Sequence, residues 1–376
     1  MNLTNRIKHK AYDLGFDLIG VAPAGCATRA EAYARWVEAG HAGEMAYMTR
    51  DPQRRQNVRN IQPEARSVIV VGLSHYTIDL PGEIKHDPSR GLIARYAWGF
   101  DYHDVMTPRV RDLLQFIRAE AARDVQARIY VDTGPVLERD IAEQAGLGFT
   151  GKNTCLIHPR MGSWIFLGEI IVDLDLDYDR PITKVGCGTC TRCLVACPTD
   201  AFVAPYVLDS RRCIAYLTIE LKQSIPRALR KPIGNRIFGC DECQDVCPWP
   251  RRFARPTREQ AFYPIDLDRA APKLLDLIGL SAEQFKARFQ GTPILRAKRR
   301  GLLRNVAVAL GNWGDEAAVP PLIGALNDAE PLVRAHAAWA LGQIGTPAAR
   351  RALVIRRQIE ADPTVADEID LALVTR

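Results

Sequence analysis

CGTCTRCLVACP (187–198) decides the fold, together with CDECQDVCP (240–248) and the single Cys213 between them. The first run has the C-x2-C-x2-C-x3-C-P spacing of bacterial proteins that carry two 4Fe-4S clusters. Cysteines two residues apart in a tight loop reach adjacent corners of one iron–sulfur cube. The fourth cysteine, displaced by one more residue and followed by proline, is directed to a neighbouring cube. Cys187, Cys190, Cys193 and Cys247 are therefore assigned to one cluster, and Cys197, Cys213, Cys240 and Cys243 to the other. Zinc also takes C-x2-C pairs, but four nested ligands complete its shell and leave the triple run unexplained. Disulfides suit small secreted domains. This chain has 376 residues, and MNLTNRIKHKAYDLGFDLIGVAPA (1–24) interrupts its apolar residues with Arg6, Lys8, Lys10, Asp13 and Asp17. That pattern is a helix running into a strand, not an export signal, and it implies a reducing cytoplasm.

A composition of 47% hydrophobic and 25% charged residues is that of an ordinary globular chain, with room for two or three domains. No stretch has the length of a membrane span. The formal net charge is +6, yet the segment from Arg211 to Arg304 alone holds twenty Lys and Arg against nine Asp and Glu. The densest runs are RALRKPIGNR (227–236), PRRFARPTR (250–258) and RAKRRGLLR (296–304). Any one of them reads as a solvated face. Three around a redox core point to a polyanionic partner, because neutralising phosphates releases counterions.

Residues 1–178 read as an α/β domain, with strands in SVIVVGLSH (67–75), ARIYVDTG (127–134) and EIIVDLDLD (169–177), and helices over 29–40 and 104–123. Neither G-x-G-x-x-G after the first strand nor a P-loop is present, which disfavours nicotinamide and nucleotide-hydrolysis chemistry. Polar residues gather where the strands end: Arg95, Tyr96, Trp98, Tyr102 and His103 in one stretch, and Asp132, Thr133, Arg139, Lys152, Asn153 and His158 in another. Ligands of α/β sheets bind there. Asp132 is a candidate acid or, equally, an N-cap for a helix starting near Val136. His103 reads as a structural hydrogen-bonder, and Gly146, Gly148 and Gly151 either as points of close backbone approach to a bound group or as residues that turn geometry alone requires. Cys26 and Cys155 read as small core residues.

Residues 179–255 form the cluster segment, with a long helical insertion around RRCIAYLTIELKQ (211–223), on which Lys222 and Arg230 read equally as pointing toward a partner or as ordinary surface. Residues 256–376 comprise a linker and an internal repeat, in which LLRNVAVALGNWGDEAAVPPLIGAL (302–326) aligns with VRAHAAWALGQIGTPAARRALV (333–354). Ala/Leu-rich helices ending at glycine mark HEAT-like repeats, which pack on a neighbour when so few. Arg296, Lys298, Arg299, Arg300 and Arg304 open this unit as a basic docking face.

YVDTGPVLERDIAEQAGLGFTGKNTCLI (130–157), GFDLIGVA (15–22), ARYAWGFDYHD (94–104), the double cysteine motif and the HEAT-like tail together resemble the epoxyqueuosine reductase family. The resemblance implies a reductive-dehalogenase-like cobalamin-binding domain, a bacterial ferredoxin-like domain and a helical docking domain for tRNA. It implies cobalamin and two 4Fe-4S clusters as cofactors, and removal of the epoxide oxygen of epoxyqueuosine at the tRNA wobble position. It makes Asp132 the proton donor, with a pKa raised by burial against the corrin. Arg55, Arg95, Asp132, Asn153, His158 and Ser163 become corrin-pocket candidates, and Lys222, Arg230, Arg296, Lys298, Arg299 and Arg300 tRNA-contact candidates. It further implies a cytoplasmic, monomeric enzyme fed by a low-potential donor such as flavodoxin or ferredoxin. One departure is Ala215, where the family pattern has serine. The rival readings are a corrinoid reductase of a small molecule and a ferredoxin-like carrier without enzymatic activity.

Overall fold

The structure, a computed structural model, describes residues 1–374. Its backbone groups into two units, each assembled from three separated stretches. The first contains residues 1–78, 100–210 and 242–262; the second contains 79–99, 211–241 and 263–376. This grouping cuts across the expected succession of 1–178, 179–255 and 256–376, with the cysteine-rich segment contributing to both units. Tandem spacing shows where ligands fall along the chain, but not which neighbours they pack on.

The first unit is built on one four-stranded sheet. Leu18–Pro23, Ser67–Ser74, Ile165–Val172 and Ala127–Tyr130 lie side by side in that order, and every pairing is antiparallel. Helices alternating with apolar runs usually give a parallel sheet. Here continuous apolar strands arise instead from an antiparallel sheet covered on both faces. All eight residues of SVIVVGLS are buried. Val68, Val70, Leu167 and Ile171 pack with Ile141 and Ala142 of the helix Glu138–Gln144. On the other face, Gly168 lies close to Val110 of the helix Tyr102–Glu120, whose start is capped by Asp101.

Gly146 and Gly148 serve chain packing rather than a ligand: a Cβ would fall 2.7 Å from the Arg180 carbonyl oxygen and 2.6 Å from that of Ile157. Cys26 corrects another expectation, because it is exposed and its sulfur accepts from Asn57 Nδ2 at 3.3 Å. Cys155 is half-buried.

The second unit is dominated by the repeat helices Lys298–Trp313, Val319–Ala325, Pro331–Ile344, Pro347–Ile359 and Pro363–Val374. The two Ala/Leu-rich helices end on left-handed glycines, Gly314 and Gly345, which release the chain at no steric cost. Within them, a Cβ on Gly311 would meet the Trp339 ring at 2.7 Å, and one on Gly342 would meet Ala372 at 2.7 Å. Glycine at these positions sets how closely the helices approach.

Two arginines of the basic runs belong to the core. Arg304 is fully buried and donates to the carbonyls of Leu217, Leu221 and Gln223. Its neighbour Asn305 donates to those of Thr218 and Ile237. These bonds satisfy the backbone of 211–223, which is no long helix but a turn at Ser210–Arg212 and one π-helical turn at Tyr216–Glu220. Arg230, expected at the tRNA interface, is 1% exposed and held by the Ile225 carbonyl and both oxygens of Glu368. Removing one partner of a buried pair strands the other charge, so Glu368→Ala is expected to cost about 3–5 kcal/mol of stability. Chemical denaturation checks this; an unchanged midpoint would show that the pair is not needed.

Candidate active site

Four cysteines line one cavity of the first unit. Cys187, Cys190, Cys193 and Cys247 enclose it together with Asn153, Ile157, Arg192, Pro248 and Trp249, and these are the four assigned by spacing to one cluster. The sequence brings them together locally: Cys193 sits in the short helix Arg192–Val195, which packs on Glu242–Asp245, just ahead of Cys247. Among the described residues no three ligand-type side chains converge on one point; the thiols line a space instead. Burial raises the Cys193 thiol, and burial with the neighbouring Cys187 and Cys193 pushes Cys247 up to about 11. Thiolates can be held together in such a place only with cations, which cluster iron supplies. Backbone donors already face the sulfurs: Lys152 N–H lies 3.4 Å from Cys187 Sγ, and Ala201 N–H 3.3 Å from Cys197 Sγ. The Lys152 ammonium ties the loop down through the carbonyls of Gly188 and Cys190. The residues fit a 4Fe-4S cluster. Of the other four cysteines, Cys197 and Cys243 lie in the first unit, and Cys213 and Cys240 in the second.

A second cavity, of about 440 Å³, opens in the same unit. Tyr33, Trp36, Tyr47, Met45 and Met48 give it an apolar wall, and Arg29, Arg55 and Arg139 give it positive charge. Asp132 and Glu138 bring carboxyls to it. Tyr206 joins cavity and thiol site: it lines the former, and its N–H donates to the Lys152 carbonyl at 3.0 Å.

Asp132 lies two residues past the edge strand Ala127–Tyr130, in a left-handed conformation, φ 59°. Such backbone is strained for a residue with a Cβ, though aspartate tolerates it better than most. The helix after it begins at Glu138, with Leu137 at its cap position and no side-chain cap bond, so Asp132 is not an N-cap. Its Oδ2 accepts from the Tyr102 hydroxyl at 2.5 Å, and Tyr102 stacks on Phe166. Arg55 fixes the loop beyond by donating to the carbonyls of Gly134 and Val136, each at 3.3 Å. His103 bonds Asp101 through Nδ1 at 2.7 Å, a structural contact as read from sequence.

The remaining pocket candidates separate. Asn153 lines the thiol cavity and donates to the Cys243 carbonyl. His158 is buried; burial, then Arg160, lowers it to about 4, so its imidazole is neutral near pH 7. The Ser163 hydroxyl is buried without a partner, as expected of a group waiting for a ligand. Arg95 belongs to the second unit, where it pairs with Asp79 and lies over the Trp98 ring.

Of the tRNA candidates, Lys222, Arg296 and Lys298 are exposed and Arg300 half-buried. Arg296 pairs with Glu220 at 2.7 Å, and Arg299 pairs with Asp328 at 2.5 Å. Two site residues escaped the sequence reading. Glu169 lies inside an apolar strand, where a lone carboxylate was the available signal; Glu138 follows a turn whose course spacing does not reveal.

A family profile described as "4Fe-4S double cluster binding domain" matches residues 186–250, and one for HEAT repeats matches 292–373. A third, "Epoxyqueuosine reductase QueG, DUF1730", matches residues 55–133. The epoxyqueuosine reductase of Pseudomonas aeruginosa is 42% identical over 91% of this chain and 95% of its own. That of Salmonella typhimurium is 38% identical over 99% of this chain and 96% of its own. Among solved structures, an epoxyqueuosine reductase with an epoxyqueuosine-modified tRNA-Tyr stem loop superposes with a TM-score of 0.91 at 32% identity, covering 99% of this chain and 98% of that one. The Bacillus subtilis enzyme, with its catalytic aspartate loop swung out of the active site, gives 0.88 at 31% over the same shares. Identity, shared length and backbone agree, and the chain belongs to the epoxyqueuosine reductase family.

Proposed function

We propose that this chain removes the epoxide oxygen of epoxyqueuosine in tRNA, with Asp132 as proton donor. The observation that carries the reading is Asp132 itself, in strained backbone with Tyr102 on one oxygen, opening into an aromatic cavity that Tyr206 links to four clustered thiols. Strained backbone of this kind gathers where geometry serves chemistry.

Deoxygenating an epoxide to an alkene and water takes two electrons and two protons. Clusters held by the eight cysteines would supply the electrons singly, drawn from a low-potential donor such as flavodoxin or ferredoxin. Cobalamin, when bound, supplies the reduced cobalt nucleophile that couples these electrons to carbon–oxygen cleavage. In the first unit Arg55, Asn153, His158 and Ser163 would hold it, and the unpartnered Ser163 hydroxyl fits that role. Arg95 remains a candidate through the resemblance alone. Asp132 delivers a proton to the departing oxygen, because an alkoxide leaves poorly. Tyr102 fixes the direction of that carboxyl, and Arg55 the loop that carries it. The apolar wall excludes water.

The anticodon loop docks through Lys222, Arg296, Lys298 and Arg300, while Arg299 keeps its ion pair. Binding is therefore expected to weaken steeply with salt, and Lys298→Ala to lower the logarithmic salt slope by about 1. Filter binding or anisotropy with a tRNA stem loop checks this; a slope that ignores all four cations would move the interface elsewhere. Among the described residues no helix is long and apolar enough to cross a membrane. We place the enzyme in the cytoplasm, as a monomer.

The test of the function is anaerobic incubation of the reconstituted protein with reductant and epoxyqueuosine tRNA, followed by mass analysis of nucleosides. Conversion to queuosine supports the reading, whereas bound corrinoid without conversion would favour a small-molecule reductase. Failure to take up corrinoid would favour an electron carrier.

A further inference from the structure

Three carboxyls meet behind the cavity. Asp132 follows the strand Ala127–Tyr130, and Glu138 opens the helix Glu138–Gln144. Glu169 lies within Ile165–Val172, opposite Val70 and Tyr130. Side chains alternate across a strand, so Glu169 shares its face with Leu167 and Ile171, the face packed against the helix that Glu138 begins. Glu169 is fully buried, and neither of its carboxyl oxygens has a hydrogen-bond partner. Glu138 Oε1 is likewise closed off and unpartnered, although the residue lines the same cavity as Asp132.

Carboxyls in such surroundings keep their protons. Burial and then the Asp132 charge push Glu138 up to about 8, against the pull of Arg139, the Asp132 backbone N–H and Arg55. Burial, then Glu138 and Asp132, push Glu169 well above the usual carboxylate range. Tyr102 engages Asp132 from the opposite side. A packing role alone does not explain two acids here, since any apolar residue would fill the space without the cost of desolvation.

The proposed reaction consumes two protons per oxygen removed, and a single carboxyl carries one. We infer that Glu138, backed by Glu169, is the proton reserve that recharges Asp132 within one turnover. This rests on the function proposed above. Asp132 first gives its own proton to the departing oxygen; the Glu138 O–H bond then breaks as an Asp132 O–H bond re-forms, and Asp132 passes this second proton to the same oxygen, which leaves as water. Solvent restores both protons, on Asp132 and Glu138, after product release. The carboxyls undergo no redox change, and both electrons come through the clusters. Glu138 acts only through Asp132, as a positioning residue for the proton.

The test compares wild type with Glu138→Gln and Glu138→Asp between about pH 6 and pH 9, alongside infrared titration of the protein alone. Wild-type kcat should fall above about pH 8, because an acid delivers its proton only below its pKa. Glu138→Gln should retain cluster iron and the KM for the tRNA stem loop, lower kcat at least about tenfold and lose that alkaline limb. Glu138→Asp should recover part of both. In the infrared, a protonated-carboxyl band should vanish as pH rises through about 8 in wild type and be missing in Glu138→Gln. Wild-type kcat with an unchanged alkaline limb in Glu138→Gln, or an unchanged infrared titration, overturns the inference. If Asp132→Asn is inactive while Glu138→Gln behaves as wild type, the relay fails and the function stands. If wild type leaves epoxyqueuosine intact, the function fails, and the infrared titration still judges the carboxyl.

Discussion

Asp132→Asn is expected to bind tRNA and keep its iron while losing about 10²–10⁴-fold in turnover, the usual worth of a general acid. The substitution is nearly isosteric: asparagine still accepts from the Tyr102 hydroxyl and also tolerates left-handed backbone. What it lacks is a transferable proton. The loss should therefore appear in kcat, with KM for the stem loop little changed. Single-turnover mass analysis of nucleosides reads it directly, and turnover within about threefold of wild type would remove Asp132 from the acid role.

The second large effect is expected from Cys247→Ala. Cys247 lies far along the chain from Cys187, Cys190 and Cys193 yet lines the same cavity. Its loss should abolish one cluster and leave the other, so iron falls from about eight to about four atoms per chain and tRNA conversion stops. Ser210→Ala, also in the first unit but at the other cavity, serves as a control that retains all the iron. Full iron content in Cys247→Ala would refute the crossed assignment of the fourth cysteine.

Spacing made that assignment legible, because proline after the fourth cysteine and the two-residue gaps constrain a short loop whatever surrounds it. The repeat was legible for the same reason: Gly311 and Gly342 must be small where helices touch, and Gly314 and Gly345 must turn left-handed. Strand existence was readable from β-branched runs, but the antiparallel order was not, since a strand buried on both faces reads alike in either sheet. The fate of individual charges was the least legible. Arg230 and Arg304 stand in runs that look solvated, and only their partners, Glu368 and the carbonyls around Tyr216–Glu220, make them core residues. Likewise Asp132 was readable as a candidate from its place after a strand. Glu138 and Glu169 were not, because the pair is created by a helix packing on a sheet.

In the proposed function, paired iron–sulfur clusters in the cysteine-rich segment feed a reductive site in the first unit. Metal analysis of anaerobically purified protein, with electron paramagnetic resonance after reduction, tests it most directly. About eight iron atoms per chain with matching sulfide, and the signals of two interacting 4Fe-4S clusters, are expected. Zinc in their place, or no metal at all, would contradict it.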